Sequence, residues 1–264
     1  MRNAPSRSFI RTALLAVVLC TLPTWAEEHF FGLGTGRNGA LNVGANNTRI
    51  NSYARVTVPL APGDVVVQVQ PSNFPVPWSI GAGDLILVIQ ATGIVPEPPT
   101  GGEGPIDLSN NPVGRWELAR LAAVSGNTLT LTRPLIYSYA ASVTQVVRVP
   151  EYTDVTIGGG GTLVAKSWDP ITRTGGVLAF LAQGAVTNGG SIDVVGSGFR
   201  GGQPINDAST STGCSDLDEG APQGAQKGEG IAITRYGTTD TGRGRVANGG
   251  GGGVAVQAGG GDGG

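Results

Sequence analysis

The fold is decided by residues 152–202, YTDVTIGGGGTLVAKSWDPITRTGGVLAFLAQGAVTNGGSIDVVGSGFRGG. Apolar runs of strand length alternate there with single, paired or clustered glycines, and no run has the length or the 3.6-residue period of a helix. Short strands joined by glycine turns bury a face only by stacking on each other, so the pattern predicts a right-handed parallel β-helix. The runs are Val155–Ile157, Leu163–Ala165, Val177–Leu181 and Ile192–Val195.

The coil prediction has consequences for single side chains and for the residues that follow. We expect Ile192 and Val194 to face the solenoid interior together with Leu178 and Phe180 of the neighbouring coil. After residue 202 the chain becomes polar and rich in turn residues, which predicts an insertion loop, and Ile231–Ile233 is predicted to be one more short strand. Residues 242–264 are mostly glycine and cannot cap a solenoid. We therefore expect the chain to be the front part of a longer protein.

Residues 40–150 predict a separate antiparallel β-sandwich or small barrel. The triplet Ser125-Gly126-Asn127 separates two of its strands and is typical of a hairpin. Pro150 cannot donate to a sheet ladder, so it marks the exit from the module. The predicted strands are 65–69, 85–89, 116–124, 128–132 and 143–149. The chain is therefore predicted to be all-β, with a lead-in at 27–39, this module at 40–150, the β-helix-like region at 151–241 and a glycine-rich tail at 242–264.

The first 26 residues have the pattern of a signal peptide. Arg2, Arg7 and Arg11 precede an apolar run at 12–22, which is too short to span a membrane, and Ala26 offers a small residue for cleavage. The pattern predicts export, cleavage after Ala26 and no membrane insertion afterwards. The mature protein is then expected to be secreted or to lie on the outer cell surface.

Charge and cysteine content limit the partners. The chain has 17 basic and 19 acidic side chains, and loss of the signal peptide removes three arginines, which changes the formal net charge from −2 to −5. Such a balance argues against nucleic acid or anionic lipid as a partner. Cleavage also leaves Cys214 as the single cysteine, so it is either a free thiol or pairs with a cysteine outside this chain.

No catalytic, cofactor-binding or metal-binding residues stand out. His29 is the only histidine, which excludes a multi-histidine zinc site, and it lies just past the predicted cleavage site, which argues against a Ser–His–acid triad or a Cys–His pair. Residues 34–39 fit G-x-G-x-x-G but lack the surrounding βαβ unit of a dinucleotide site. Lys166-Ser167 follows a glycine run, but Ala165 occupies the position where a phosphate loop needs glycine. We therefore assign no site residues and predict no cofactor and no metal.

The acidic residues and tryptophans leave alternatives open. Asp193 alternates with apolar neighbours on a predicted strand, which is typical of a solvated outer face. Asp216, Asp218 and Glu219 resemble the start of a calcium loop, but the bidentate glutamate is missing. The tryptophans that could stack on sugar rings or pack in a core are Trp78, Trp116 and Trp168.

Four stretches together resemble a known family: NNPVGRWELARLAAVSGNTLTLTRPL (110–135), TQVVRVPEYTDVTI (144–157), GGVLAFLAQGAVTNGGSIDVVGSGFRGG (175–202) and KGEGI (227–231), followed by the poly-glycine run. They are similar to the N-terminal region of the large secreted proteins of gliding, myxobacterial bacteria known as adventurous gliding motility proteins. The resemblance implies a secreted or cell-surface protein linked to motility and adhesion. It carries no catalytic motif.

The sequence therefore favours a secreted, non-enzymatic β-rich protein that serves adhesion or motility-linked surface attachment. Extracellular polysaccharide and other surface proteins are the partners that this hypothesis predicts, with no nucleic acid. The alternative is a carbohydrate-active β-helix, a polysaccharide lyase or hydrolase, which would need paired acids, or acids with an arginine such as Arg200, on one face. A third hypothesis is a structural anchor for downstream domains.

Overall fold

The computed structural model describes residues 32–72, 76–98, 105–202, 228–235 and 248. The regular structure of these residues is all-β, apart from one short 3₁₀ helix at Ile233–Arg235. No helix among them is long and apolar enough to cross a membrane. The strands are Leu41–Val43 (β1), Tyr53–Val56 (β2), Val66–Ser72 (β3), Leu85–Gln90 (β4), Trp116–Ser125 (β5), Thr128–Leu131 (β6), Thr144–Val149 (β7), Glu151–Tyr152 (β8), Val155–Ile157 (β9), Thr162–Val164 (β10), Leu181–Ala182 (β11), Val186–Asn188 (β12) and Ser191–Asp193 (β13).

Six antiparallel strands close into a barrel in the order β2-β3-β6-β5-β4-β7 and back to β2. The β5–β6 hairpin turns where the sequence predicts it, with Ser125 opposite Thr128 and Gly126 at a φ of 56°. Alternate residues of the strands point inward, and fourteen buried side chains, from Ala54 to Val146, form one apolar cluster. Of the two predicted architectures for this module, the structure confirms the small barrel.

Strands β4 and β7 are buried on both faces, which explains the continuous apolar run 85–89 of β4. Ile86 and Val88 face the barrel core, whereas Leu85 and Leu87 join Val147 in a second cluster on the outside of the barrel. The residues that cover this outer cluster come from beyond the barrel and include Val177, Ala179 and Leu181.

The remaining strands pair in parallel. β9 lies between β1 and β12, β10 pairs with β13, and β8 pairs with β11. An isolated parallel bridge joins Thr48 to Leu163. β1 therefore pairs with a strand that follows the barrel in the chain, although the sequence grouped it with the barrel module. The barrel strands begin only at Tyr53.

The segment 177–182 packs on both the barrel and the parallel strands. Its odd-numbered side chains lie on the outer barrel cluster, and its even-numbered side chains, Leu178, Phe180 and Ala182, pack against a third cluster around Val155 and Ile157. Most of this segment is not in a strand, because amide side chains replace part of the ladder. The Asn51 amide donates to the Ala179 carbonyl at 2.6 Å and accepts from its N–H at 3.1 Å, and Gln145 makes the same pair of bonds with Gly175.

Two further expectations from the sequence are wrong. Ile192 and Val194 are 43% and 47% exposed rather than interior. Ile192 does pair with Leu163 in register, but it lies on the outermost described strand, so no further described strand covers it. Ile231–Ile233 is not a strand: Gly230 makes a single bridge to Asn248, and the 3₁₀ helix starts at Ile233.

Candidate functional site

A half-open cleft of about 110 Å³ lies where four separate parts of the chain meet. Trp168, Pro170 and Arg173 come from the turn that follows β10. Phe199 and Arg200 follow β13, whereas the segment 229–233 returns from much later in the chain and faces Thr92 of the barrel. The cleft is thus a product of the tertiary fold and of no single motif.

The turn after β10 is held by its own carboxylate. Asp169 accepts hydrogen bonds from the N–H of Ile171 at 2.9 Å and from the Thr172 hydroxyl at 2.7 Å. Burial raises the pKa of Asp169, but these hydrogen bonds outweigh it and hold the pKa below its ordinary value. The Asp169 carbonyl accepts from the N–H of Arg173 at 2.6 Å, which closes the turn with Arg173 at a φ of 55°. The closed turn therefore holds the Arg173 backbone in place, and its side chain lines the cleft from there.

The apolar wall of the cleft is an aromatic pair. The rings of Trp168 and Phe199 meet edge to face, with centroids 4.9 Å apart and an angle of 89° between their planes. The backbone fixes this geometry, because the main-chain N–H of Trp168 donates to the carbonyl of Ser197 at 2.8 Å. Phe199 remains 37% exposed, so an aromatic surface is open to solvent.

The polar wall is an ion pair. One guanidinium nitrogen of Arg200, Nη2, donates to Glu229 Oε1 at 2.8 Å, and the Arg200 backbone N–H donates to Oε2 at 2.9 Å. Burial raises the pKa of Glu229, but the bonds and charge of Arg200 outweigh it, with a smaller contribution from Trp168, so the pKa lies below its ordinary value. Glu229 is therefore ionised at neutral pH.

The returning segment is anchored to the barrel by its backbone. The Ile231 carbonyl accepts from the N–H groups of Gly93 and Ile94 at 2.8 and 3.0 Å. The Thr92 hydroxyl donates to the Gly230 carbonyl at 2.6 Å. Ala232 packs with Ile94 in a small apolar cluster. These contacts bring Glu229 to Arg200 and complete the cleft.

No protein-family model matches the chain, and no curated protein matches it. Among the solved structures that resemble it are three bacteriophage tailspikes. Tailspike gp61 of Pseudomonas phage phi297 is 13% identical with a TM-score of 0.26, covering 58% of this chain and 24% of its own. Tailspike gp49 of Pseudomonas phage LKA1 is 14% identical with a TM-score of 0.24, covering 48% and 24%.

The third is the Gp54 tailspike of Acinetobacter baumannii bacteriophage AP22, solved in complex with A. baumannii capsular saccharide. It is 13% identical with a TM-score of 0.28, covering 66% of this chain and 31% of its own. This chain thus spans about a quarter to a third of the length of these tailspikes. At these TM-scores the likeness carries no argument about the fold or function of this chain.

The three tryptophans weighed from the sequence have different environments. Trp168 lines the cleft, Trp78 packs against the barrel core, and Trp116 is 58% exposed at the start of β5. The cleft also contains Arg200, the arginine named for the enzymatic alternative. The sequence thus identified two of the cleft residues as candidates.

The other weighed residues lie apart from the cleft or outside the described residues. Asp193 is exposed on β13 and accepts a hydrogen bond from the N–H of Val195 at 2.8 Å. Lys166 is buried, and its ammonium donates to Thr174 Oγ1 at 2.8 Å and to Ser72 Oγ at 2.9 Å; burial lowers its pKa. The residues that fall outside the described part of the chain are His29, Cys214, Asp216, Asp218 and Glu219.

Sequence reasoning missed Arg173, Phe199 and Glu229 as members of one site. One signal was available: Trp168 and Phe199 are about 30 residues apart, which is also the spacing at which β9 pairs with β12. Nothing in the sequence indicates that the segment 229–233 returns to the barrel. Within the described residues, no group of three or more His, Cys, Asp and Glu side chains is arranged to hold a metal.

Proposed function

We propose that this protein is a secreted, non-enzymatic surface protein that binds carbohydrate in the cleft between Trp168 and Glu229. The observation that carries the proposal is the pairing, in one small cleft, of an open aromatic wall with a charged, hydrogen-bonding wall. A sugar ring presents apolar C–H faces and a rim of hydroxyl groups, so it needs both kinds of surface.

The two walls suit the two parts of a sugar. The exposed face of Phe199 and the adjoining Trp168 offer apolar area to the C–H groups. Arg200 and Glu229 hold each other in place, so the pair forms a preorganised polar wall for hydroxyl groups. The cleft is smaller than the roughly 300–1,000 Å³ of pockets for drug-sized ligands, which favours one residue of a longer chain.

The proposal includes a β-helix as the support of the site. The paired strands β1, β9 and β12, with the parallel pairs β10–β13 and β8–β11, are consistent with three successive coils about 30 residues long. The barrel is then an insertion between the first and second coils. In this arrangement Trp168 and Phe199 occupy equivalent positions on successive coils, which accounts for their contact.

The chemistry of the cleft favours binding over catalysis. Glu229 is the only carboxylate among the described residues that line it. Glycoside hydrolysis needs two carboxyl groups, of which one keeps its proton through a raised pKa. Glu229 has a lowered pKa and an ion-pair partner, so it is unsuited to act as the acid. A hydrolase would therefore need groups beyond those of the described cleft, whereas the lyase alternative is left to the turnover assay below.

Export, adhesion and a link to motility complete the proposal. They are supported by the signal-peptide pattern ending at Ala26 and by the resemblance to adventurous gliding motility proteins. Extracellular polysaccharide is the partner that such a location makes available.

The test measures binding and turnover together. The full chain is titrated against a panel of neutral and acidic polysaccharides, with each mixture also assayed for new reducing ends and unsaturated products. We expect binding without turnover, and at least a tenfold loss of affinity in Trp168→Ala. Trp116→Ala is the matched control, because it removes an exposed tryptophan outside the cleft and should bind like the parent.

Thermal unfolding of both variants separates a lost contact from a lost fold. Equal binding by Trp168→Ala and the parent would reject the cleft as the site, and turnover would reject the non-enzymatic assignment.

A further inference from the structure

We infer that the cleft selects an acidic sugar residue and that Arg173 binds its carboxylate. The inference rests on the proposed function and adds the class of saccharide to it. It starts from a difference between the two arginines of the cleft. Arg200 is paired with Glu229, whereas Arg173 has no carboxylate within 4.0 Å among the described residues.

Most N–H donors of the Arg173 guanidinium have no hydrogen-bond partner among the described residues. Its one side-chain hydrogen bond within the described residues runs from Nη1 to the carbonyl of Ser142 at 3.0 Å. A guanidinium carries five N–H donors in a planar fork that matches a carboxylate. Since Arg173 also lines the cleft, the remaining donors can serve a group bound there.

The backbone of Arg173 is costly for an arginine. Its φ of 55° lies in the left-handed region, where glycine or asparagine is favoured over longer side chains. Such strain is concentrated at functional sites. Glycine or asparagine would close the same turn more readily, so the presence of arginine points to a use for its side chain.

The neighbouring acids do not compete for Arg173. The Asp169 carboxylate is engaged by Ile171 N–H and the Thr172 hydroxyl within the turn, and Glu229 is engaged by Arg200. An incoming carboxylate would therefore find Arg173 as its ion-pair partner in a cleft whose own acid is already neutralised. Lys166 and Arg55 lie near the turn and add positive charge, the first buried and the second donating to the Ile171 carbonyl at 3.4 Å.

The test compares each acidic polymer with its neutral counterpart. Alginate, polygalacturonate and hyaluronate are titrated against the full chain by calorimetry, each beside the same polymer after reduction of its carboxyl groups to alcohols. We expect at least one acidic polymer to bind at least tenfold more tightly than its reduced form, and its affinity to fall as salt rises.

The variants are Arg173→Asn and the matched control Arg49→Asn, which removes an exposed arginine outside the cleft. Arg173→Asn should lose at least tenfold in affinity for the acidic polymer and keep its affinity for the reduced one. It should also melt no more than a few degrees from the parent, because asparagine tolerates the left-handed backbone. Arg49→Asn should bind both polymers as the parent does.

The outcomes separate this inference from the proposed function. If acidic and reduced polymers bind equally and Trp168→Ala abolishes both, the cleft binds carbohydrate and the charge selection is wrong. If Arg173→Asn binds the acidic polymer like the parent, the role of Arg173 is wrong. If no polymer in either panel binds, the proposed function fails and this inference fails with it.

Discussion

The contact between the barrel and the segment 177–182 depends on one buried amide. Asn51 is 2% exposed and donates to the carbonyls of Ala179 and Arg148 at 2.6 and 2.9 Å, while its own carbonyl accepts from the Ala179 N–H. Among the described residues, no other group bonds to the amide or the carbonyl of Ala179. Asn51→Ala therefore leaves two main-chain groups without a partner.

Each buried polar group left unsatisfied costs about 1–3 kcal/mol. Because Ala179 is half-buried and water can recover part of this loss, we expect Asn51→Ala to lower the free energy of unfolding by about 2–4 kcal/mol. Asn51→Asp keeps the acceptor but places a carboxylate against two carbonyl oxygens, so it should be at least as destabilising at pH 7. Burial and the two facing carbonyl oxygens raise the pKa of that new carboxyl, so its destabilisation should diminish as the pH falls.

The assay is urea unfolding monitored by tryptophan fluorescence. The free energies of unfolding are compared with one shared m value, the slope of the free energy against urea concentration. Asn46→Ala is the matched control, since Asn46 is exposed and its described side-chain bond is from the Thr162 hydroxyl at 3.3 Å; it should change stability by less than about 0.5 kcal/mol. If Asn51→Ala is as stable as Asn46→Ala, the amide does not hold the segment to the barrel.

Three further predictions concern stability and processing. Glu151 is buried and accepts two 2.8 Å hydrogen bonds from Arg120 and one from the Thr35 N–H. Burial raises the pKa of Glu151, but the effect of these bonds is larger and holds the pKa below its ordinary value. Its stabilisation is therefore complete above the ordinary carboxyl pKa and lost as the pH falls through the lower folded value, so Glu151→Gln should flatten the decline in stability between about pH 5 and 3; an unchanged acid profile would contradict this. Ile157→Asp should cost several kcal/mol because Ile157 is 1% exposed, whereas Ile192→Asp should cost less than about 1 kcal/mol, and equal melting temperatures would refute the assignment. The secreted chain should begin just after Ala26 by intact mass, and a folded product that retains the first 26 residues would count against export.

The sequence was informative where local pattern decides structure. Strand alternation and the turn at Ser125–Asn127 identified the β5–β6 hairpin, and the continuous apolar run at 85–89 marks a strand that the structure buries on both faces. The glycine spacing identified strands that pair in parallel, such as β10 with β13. These features depend on neighbouring residues, which a sequence displays directly.

The sequence was uninformative where distant segments meet. β1 pairs with β9 although all six barrel strands lie between them in the chain. The bonds of Asn51 to Ala179 also join residues far apart in the chain. The burial of a strand depends on what covers it, so the alternation around Ile192 could not show that its apolar side chains would be exposed. The cleft required Trp168, Phe199 and Glu229 to converge, and only the first two share a recognisable spacing.

The central claim is tested most directly by a crystal structure of the full chain with an oligosaccharide from the polymer that binds best. The account predicts electron density for a sugar ring against Trp168 and Phe199, with hydroxyl groups within hydrogen-bond distance of Arg200 or Glu229. Density for the sugar at another surface, such as the exposed Trp116, with the cleft empty would contradict it.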